Sequence, residues 1–154
     1  MKRRRMGMLV RFNISELFRE PFITINVDRK TDELINMAVA IEEVVNKKKI
    51  IGYRGIEQKA ISLYQIVSIH TDGKNVVCET KGGIYRIRKR IYEMKTVIPK
   101  SLFIQISNSE IVNISQIKNF SLSQTGIYQV NLLNGRKTYT SRRYTQIIRK
   151  ELLK

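Results

Sequence analysis

Over most of residues 50–140 apolar and polar side chains alternate along the chain, and this alternation favours extended strands. The alternating runs are short and are separated by turn sequences such as Asp72-Gly73 and Asn134-Gly135, the second a strong two-residue hairpin signal. The pattern therefore predicts a compact antiparallel β domain. The predicted strands are 50–54, 56–63, 65–70, 75–80, 84–88, 102–106, 111–113, 117–122, 127–133 and 137–140.

Three segments outside these strands have apolar residues at helical spacing instead. Residues 31–48 form the clearest case, with Asp32 and Glu33 in the first turn, where acidic side chains favour the helix dipole. A second, short helix is predicted around residues 89–97, and a third follows Ser141, which is a suitable N-cap. The apolar stripes of the first and third helices are Leu34, Met37, Ala38, Ile41, Val44 and Val45, and Tyr144, Ile147, Ile148 and Leu152.

One further strand is predicted at residues 22–27, ahead of the first helix, where apolar and polar side chains also alternate. The sequence thus divides into an N-terminal strand-helix-strand extension at residues 1–57 and a β-rich domain at residues 58–154.

Positive charge is concentrated in the second part. The chain has 29 basic and 13 acidic residues, a formal charge of +16, and residues 58–154 contribute +12 of it. Such an excess repels itself in the folded state and is best compensated by a polyanion, of which nucleic acid is the usual one inside a cell. A merely solvated cationic surface is the alternative, whereas membrane binding fits less well because no basic helix carries a bulky apolar face.

Few residues are suited to catalysis. His70 is the only histidine and Cys78 the only cysteine, which excludes His-pair mechanisms, a histidine metal cluster and an intramolecular disulfide. Cys78 lies in an alternating strand, and a buried structural thiol is expected there. We therefore predict a non-enzymatic cytoplasmic protein that needs no cofactor, with no apolar run long enough to cross a bilayer.

Four groups of polar and basic side chains follow predicted strand ends. If these turns share one rim of a sheet, they form a basic edge at which Asn and Arg can reach the edges of bases. The start of the last helix also offers free backbone N–H groups to a phosphate. The candidate DNA-contacting residues are Thr71, Lys74, Asn75, Arg86, Arg88, Lys89, Ser107, Asn108, Ser109, Ser141, Arg142 and Arg143.

Two motifs resemble a known family. The run Leu102-Phe-Ile-Gln-Ile-Ser-Asn-Ser-Glu-Ile-Val-Asn-Ile-Ser-Gln-Ile117, and Leu132 to Gly135 followed by Ser-Arg-Arg-Tyr144, are similar to the signatures of LytTR-type DNA-binding domains. The resemblance covers roughly residues 58–153. It implies a mainly β fold of antiparallel strands in an elongated β-sandwich of small sheets, with an N-terminal strand-helix extension and a C-terminal helix.

The resemblance also implies a function. Members of the family bind double-stranded DNA through loops that enter successive major grooves, and the base-contacting residues would correspond here to Asn108 and Arg143. The remaining candidates would contact phosphate or support these two, and two copies would occupy neighbouring half-sites as a homodimer. Two positions depart from the family pattern: Ser107 replaces a frequent histidine and Gln105 replaces an arginine.

Residues 1–57 are too short for the phosphorylated receiver domain that usually precedes the family domain. The chain therefore resembles the short, receiver-less branch of bacterial transcription regulators, in which a small membrane protein restrains the regulator. Two other functions stay open at this point. One is an RNA-binding β module, which would display aromatic side chains on a sheet face, and the other is a protein-interaction adaptor that uses the helix at residues 31–48.

Overall fold

The computed structural model describes residues 10–18, 22–46 and 49–153. The chain divides into two units, residues 1–38 and residues 39–154. Three helices and ten strands lie within the described ranges. In chain order they are α1 Asp32–Asn46, β1 Lys49–Arg54, β2 Glu57–Ser62, β3 Ile66–Asp72, β4 Asn75–Thr80, β5 Gly83–Ile87, α2 Ile91–Val97, β6 Phe103–Ser107, β7 Glu110–Asn113, β8 Ile117–Leu122, β9 Tyr128–Leu132, β10 Lys137–Tyr139 and α3 Arg142–Leu152.

The strands form two antiparallel sheets. Seven of them lie in the order β2-β1-β5-β4-β3-β7-β6, and three lie in the order β10-β9-β8. Every turn predicted from a glycine pair or an Asn-Gly pair joins two neighbouring strands. Gly73, in the β3–β4 turn, has a φ of 57°, which a residue with a side chain rarely adopts. The prediction of a mainly β, antiparallel fold is confirmed.

Two hydrophobic cores lie on opposite faces of the seven-stranded sheet. The first includes Met94 of α2 together with Phe103 and Ile111. The second includes Ile104 and side chains of the three-stranded sheet and α3, among them Ile148. Phe103 and Ile104 are neighbours in β6 and enter different cores because successive side chains of a strand point to opposite faces. Each fully buried isoleucine stabilises the fold by about 1.5–3 kcal/mol.

The N-terminal predictions are confirmed only in part. The helix predicted at 31–48 is present as α1, and residues 47 and 48 lie outside the described residues. The strand predicted at residues 22–27 is wrong, since this segment has no regular structure and Phe22 and Ile23 are exposed. An alternating run becomes a strand only when a neighbour pairs with it, and neither described sheet includes this segment. No helix in the described part of the chain is long and apolar enough to cross a membrane.

β1 comes from the predicted extension but lies in the seven-stranded sheet, where Tyr53 pairs with Arg86 of β5. Gly52 permits this close approach. A Cβ atom at Gly52 would lie 2.7 Å from the Cβ of Tyr85 and 2.6 Å from the Cδ1 of Ile61. The short strand β1 is therefore held against β5 at a position where only glycine fits without a shift of its neighbours.

Cys78 is fully buried in the first core, as predicted. Burial raises the pKa of its thiol to about 12, with a further contribution from the charge of Glu79. A shift from the ordinary value of 9.0 to about 12 lowers the thiolate fraction at neutral pH about a thousandfold. We expect iodoacetamide at pH 8 to leave the native chain unmodified while it alkylates the chain fully in 6 M guanidinium, as measured by mass spectrometry. Equal rates in the two states would contradict the burial of this thiol.

Candidate nucleic-acid interface

Three of the four predicted polar groups meet at one end of the seven-stranded sheet. The backbone N–H of Thr71, at the end of β3, donates to the carbonyl of Ser109 at 2.9 Å, which joins the β3–β4 turn to the β6–β7 turn. The backbone N–H of Ser141 donates to the carbonyl of Ile106 at 2.9 Å, which brings the start of α3 to the same place. We name this surface the basic edge, comprising residues 71–75, 107–109 and 141–143.

The side chains predicted to contact DNA are accessible on the basic edge. Lys74, Asn108, Arg142 and Arg143 are all exposed. Because α3 begins at Arg142, its first backbone N–H groups and its positive dipole end face the same region as the two arginines. The surface therefore combines cationic side chains, backbone donors and one amide side chain, which is the donor set that contacts phosphates and base edges.

Tyr144 connects the two residues predicted to contact bases. Its hydroxyl donates to Oδ1 of Asn108 at 3.3 Å, and the guanidinium carbon of Arg143 lies 5.9 Å from the centre of its ring. The ring itself is buried, so it forms a fixed support beneath both side chains. The sequence predicted Tyr144 only as a buried residue of the helix. Its contact with Asn108 joins positions 36 residues apart, which no local pattern reveals.

The β6–β7 turn is held by its own polar side chains. The Oγ atoms of Ser107 and Ser109 lie 3.1 Å apart, and the backbone N–H of Ser109 donates to Oγ of Ser107 at 3.2 Å. Nε2 of Gln105 donates to the carbonyl of Ser107 at 2.9 Å. These bonds fix the turn that presents Asn108, and they give Ser107 and Ser109 a supporting role within the turn.

Two expectations for α3 need correction. Ser141 occupies the N-cap position, but its side chain makes no capping hydrogen bond. Its carbonyl instead accepts from the backbone N–H of Tyr144 and from the hydroxyl of Thr145, which draws Thr145 into the buried face. Ile147, predicted to be buried, is 38% exposed, because the buried side of α3 is formed by Tyr144, Thr145 and Ile148.

The fourth predicted group, which consists of Arg86, Arg88 and Lys89, is only partly associated with the basic edge. Ile87 pairs with Val76, so Arg88 and Lys89 follow β5 at the same end of the sheet. The guanidinium of Arg88, however, lies 4.3 Å from the centre of the Tyr53 ring, towards β1. Arg86 is exposed further along β5, on the face opposite Tyr85. The structure therefore places Arg86 and Arg88 beside the basic edge and not on it.

A charged network that the sequence did not reveal lies behind the basic edge. Arg136, in the β9–β10 turn, pairs with Glu79 at 2.8 Å and with Glu110 at 2.7 Å, and it also donates to Ser68 at 2.8 Å. Both carboxylates are largely buried, and Glu110 accepts a second hydrogen bond from Thr138. Glu110 directly follows the Asn108 turn, so the network ties that turn to the three-stranded sheet.

Within the described ranges, no three His, Cys, Asp or Glu side chains are grouped as metal ligands would be. His70 bonds through Nδ1 to Ser68 at 2.9 Å and so belongs to the Arg136 network.

Comparison with known families identifies the domain that carries this surface. The LytTr DNA-binding domain model matches residues 57–153, more than half of the 154-residue chain. The chain belongs to the LytTR family. The match includes all three segments of the basic edge and confirms the resemblance found in the sequence motifs.

Similar proteins agree with this assignment. An uncharacterized HTH-type transcriptional regulator of Staphylococcus aureus strain NCTC 8325 / PS 47 is 29% identical over 133 residues, which is 86% of this chain and 90% of the relative. The relative from strain MRSA252 is 28% identical over the same length. Since the aligned length exceeds the LytTR match, the similarity extends beyond the family domain.

A solved LytTr DNA-binding domain from Bacillus cereus has the same fold. It superposes with a TM-score of 0.65 at 18% sequence identity and covers 68% of this chain and 96% of that chain. The fold prediction is therefore confirmed for the LytTR part of the chain, which is a DNA-binding domain of a transcription regulator family.

Proposed function

We propose that this protein is a sequence-specific regulator of transcription that binds double-stranded DNA by inserting turns of the basic edge into successive major grooves. One observation carries the proposal. Asn108 comes from the β6–β7 turn and Arg143 from the start of α3, and both are exposed on one surface and supported by the same buried tyrosine. Separate projecting turns on a β scaffold suit a duplex whose major groove returns once per helical turn.

The side chains suggest how bases would be distinguished. Arg143 would donate two hydrogen bonds to O6 and N7 of a guanine, and Asn108 would pair with N6 and N7 of an adenine. Lys74, in the β3–β4 turn, and Arg142, which precedes Arg143, would neutralise phosphates and set the register. Thr71, Asn75, Ser141, Arg86, Arg88 and Lys89 would add phosphate or supporting contacts.

The helices of this chain do not suit a helix-turn-helix mode of binding. That mode needs two consecutive helices, the second of which enters the major groove. Among the described elements, strands separate α1 from α2 and α2 from α3. Turns and the start of α3 are therefore the parts available to reach base edges.

The RNA-binding alternative receives little support from the sheet surfaces. A stacking platform needs several exposed aromatic side chains on one face. Of the exposed tyrosines in the described residues, only Tyr139 lies on a strand, whereas Tyr64 and Tyr92 lie on helical turns. The adaptor alternative would use α1, whose Ile35 and Val39 are exposed.

Selection of bound duplexes from a random library tests the proposal directly. We expect a recovered consensus of two half-sites spaced by about 10 base pairs, each occupied by one copy of a homodimer. The logarithm of affinity should fall steeply and linearly with the logarithm of salt concentration, because phosphate contacts release counterions. Recovery of unrelated sequences, or tighter binding to single-stranded RNA than to duplex, would refute sequence-specific DNA binding.

A restraining partner is proposed from the family resemblance alone. A small membrane protein would hold the regulator away from DNA, and co-purification of the full-length chain with solubilised membranes tests this. Recovery of all the protein in the soluble fraction, under conditions in which its target genes are silent, would argue against such a partner.

Tyr144→Phe isolates the support beneath Asn108. The variant keeps the buried ring but removes the hydrogen bond to Oδ1, so we expect DNA affinity to fall about two- to tenfold while the unfolding midpoint changes little. Fluorescence anisotropy on the selected duplex measures the loss. Tyr92→Phe, which removes the hydroxyl of an exposed tyrosine of α2, is the matched control, and equal effects of the two substitutions would contradict the role of Tyr144.

A further inference from the structure

One face of the seven-stranded sheet is covered only in part. The three-stranded sheet and α3 enclose the second core over β3, β6 and β7, and Nδ2 of Asn134 donates to Glu79 of β4 at 2.8 Å. Among the described residues, none from β1, β2 or β5 belongs to that core. The same face of the sheet is therefore open to solvent over these three strands.

The uncovered part of this face is apolar and basic. Ile51 of β1 and Ile84 of β5 follow or precede residues of the first core, so they point to the opposite face, where they are 45% and 55% exposed. Glu79, which pairs with Ile84 in the strand register, is already bound to Arg136. We name this surface the open face, comprising Lys49, Ile51, Tyr53, Ala60, Ile84 and Arg86.

α1 is acidic and carries an apolar stripe of its own. Its sequence contains four acidic residues and no basic one, although the whole chain has a charge of +16. Helical spacing places Glu33 and Glu42 on the two flanks of the stripe, and Val44, which lies within it, is 55% exposed. No described residue of α1 belongs to either hydrophobic core. The helix thus presents apolar side chains between carboxylates.

The open face and α1 match in length and in charge. A helix of 15 residues is about 22 Å long and a strand of six residues is about 20 Å long, so α1 can lie along β1 and β2. Its apolar stripe would then contact Ile51 and Ile84, while its flanking carboxylates would lie near Lys49 and Arg86. Opposite charges at the two surfaces favour this pairing over others.

A second copy of the chain is the occupant that covers both surfaces. Ile51, Ile84 and Val44 are all exposed in the single chain. If each copy offers its α1 and receives that of its partner, one two-fold rotation produces both contacts. Pairing of α1 with α1 would instead bring two acidic helices together and would leave the open face exposed.

We propose that α1 of each copy packs on the open face of the other and so forms a two-fold symmetric dimer. The proposal deepens the proposed function, because it supplies the interface of the homodimer that would occupy two half-sites. No residue of the basic edge belongs to the open face, so a second copy and DNA do not compete for the same side chains. The dimer forms without DNA and is therefore testable by itself.

Sedimentation velocity of the full-length chain without DNA measures the assembly. We expect a dimer with a Kd of about 10 μM or below, which is within the range of standard-size interfaces. Val44→Lys should weaken it about tenfold or more, because a lysine suits the last turn of a helix but opposes the basic open face. A wild-type chain that stays monomeric at about 100 μM would overturn the proposal.

Val39→Lys is the matched control for Val44→Lys. Val39 is 50% exposed and lies on the side of α1 opposite the apolar stripe, so its replacement should change the Kd less than about twofold. Equal weakening by the two substitutions would show that the stripe is not the contact surface of α1, and would contradict the proposed packing.

Ile84→Glu tests the open face. It should weaken the dimer about tenfold or more, because its carboxylate would meet the acidic flanks of α1. Ile56→Glu, in the exposed β1–β2 turn, is the control and should change the Kd less than about twofold. Each substituted position is exposed, so the circular-dichroism spectra should match that of the wild type. Loss of the dimer in only one of Val44→Lys and Ile84→Glu would overturn the exchange of helices.

A mixture of the Val44→Lys and Ile84→Glu chains distinguishes exchange from other symmetric dimers. The first chain keeps an intact open face and the second keeps an intact α1, so a mixed dimer retains one of the two contacts. In the other contact the introduced lysine faces the introduced glutamate. With one variant fluorescently labelled, we expect mixed dimers at concentrations at which each variant alone is monomeric. Their absence would refute the exchange.

DNA binding separates failure of this interface from failure of the proposed function. Val44→Lys should bind a duplex with one half-site as tightly as the wild type and a duplex with two half-sites about tenfold more weakly. Unchanged affinity for two half-sites, or a monomer that still selects duplexes, would refute the interface and leave the proposed function standing. A dimer that selects no duplex would refute the proposed function and leave the interface standing.

Discussion

Arg136→Met is expected to lower the free energy of unfolding by about 3 kcal/mol, the largest loss predicted for a single substitution in this chain. Methionine retains much of the packing volume of arginine but leaves Glu79 and Glu110 without the cation that both contact. Two buried carboxylates would then be desolvated without compensation, which costs more than the loss of an exposed ion pair. Urea denaturation, with an unchanged m-value, measures the difference.

Lys137→Met provides the matched control, because Lys137 is the exposed neighbour of Arg136 in the same hairpin. Its effect should stay within about 0.5 kcal/mol. Adding Glu79→Gln and Glu110→Gln to Arg136→Met should recover at least about 1 kcal/mol, since neutral amides need no cation. Equal losses for Arg136→Met and Lys137→Met would show that the network contributes nothing to stability.

Arg143→Ala is expected to weaken binding to the selected duplex by about 1–3 kcal/mol, or about 5- to 150-fold, and to relax the preference at one base pair. The physical reason is the loss of a bidentate contact that only the correct base completes. Binding to a random duplex should fall much less, because there the arginine contributes only its charge. Anisotropy titrations of both duplexes at one salt concentration provide the comparison.

Two further variants separate base reading from charge. Arg88→Ala removes a cation beside the basic edge and should weaken both duplexes alike. Arg143→Lys keeps the charge but not the planar pair of donors, so it should restore binding to the random duplex without restoring the preference. If Arg143→Ala weakened both duplexes equally, Arg143 would be a phosphate contact and the assignment of base reading would fail.

The strands, turns and helices of residues 49–153 were predictable because each depends on local patterns. Alternation of apolar side chains located all ten strands to within a few residues, and short turn sequences such as Asp72-Gly73 located the hairpins. The prediction at residues 22–27 was wrong because alternation reports only the capacity to pair. Pairing itself requires a neighbouring strand, which a local pattern does not contain.

The candidate site was predictable in its parts but not in its connections. The charge of residues 58–154 and the two family motifs indicated DNA binding and pointed to Asn108 and Arg143. They did not indicate Tyr144 as the support shared by both. The sequence shows the arginine and the asparagine as residue types, whereas it does not show the hydrogen bond between Tyr144 of α3 and Asn108 of the β6–β7 turn.

What the amino-acid sequence determined by itself is the set of elements, the excess of positive charge and the identity of the exposed polar side chains. Only the tertiary structure decided which of these side chains meet. Arg136 reaches Ser68 across 68 residues of chain, and Tyr144 reaches Asn108 across 36. Such contacts arise from the order in which strands pair and from the packing of α3 on β6, and these are set by burial of the whole core and not by any neighbouring residues.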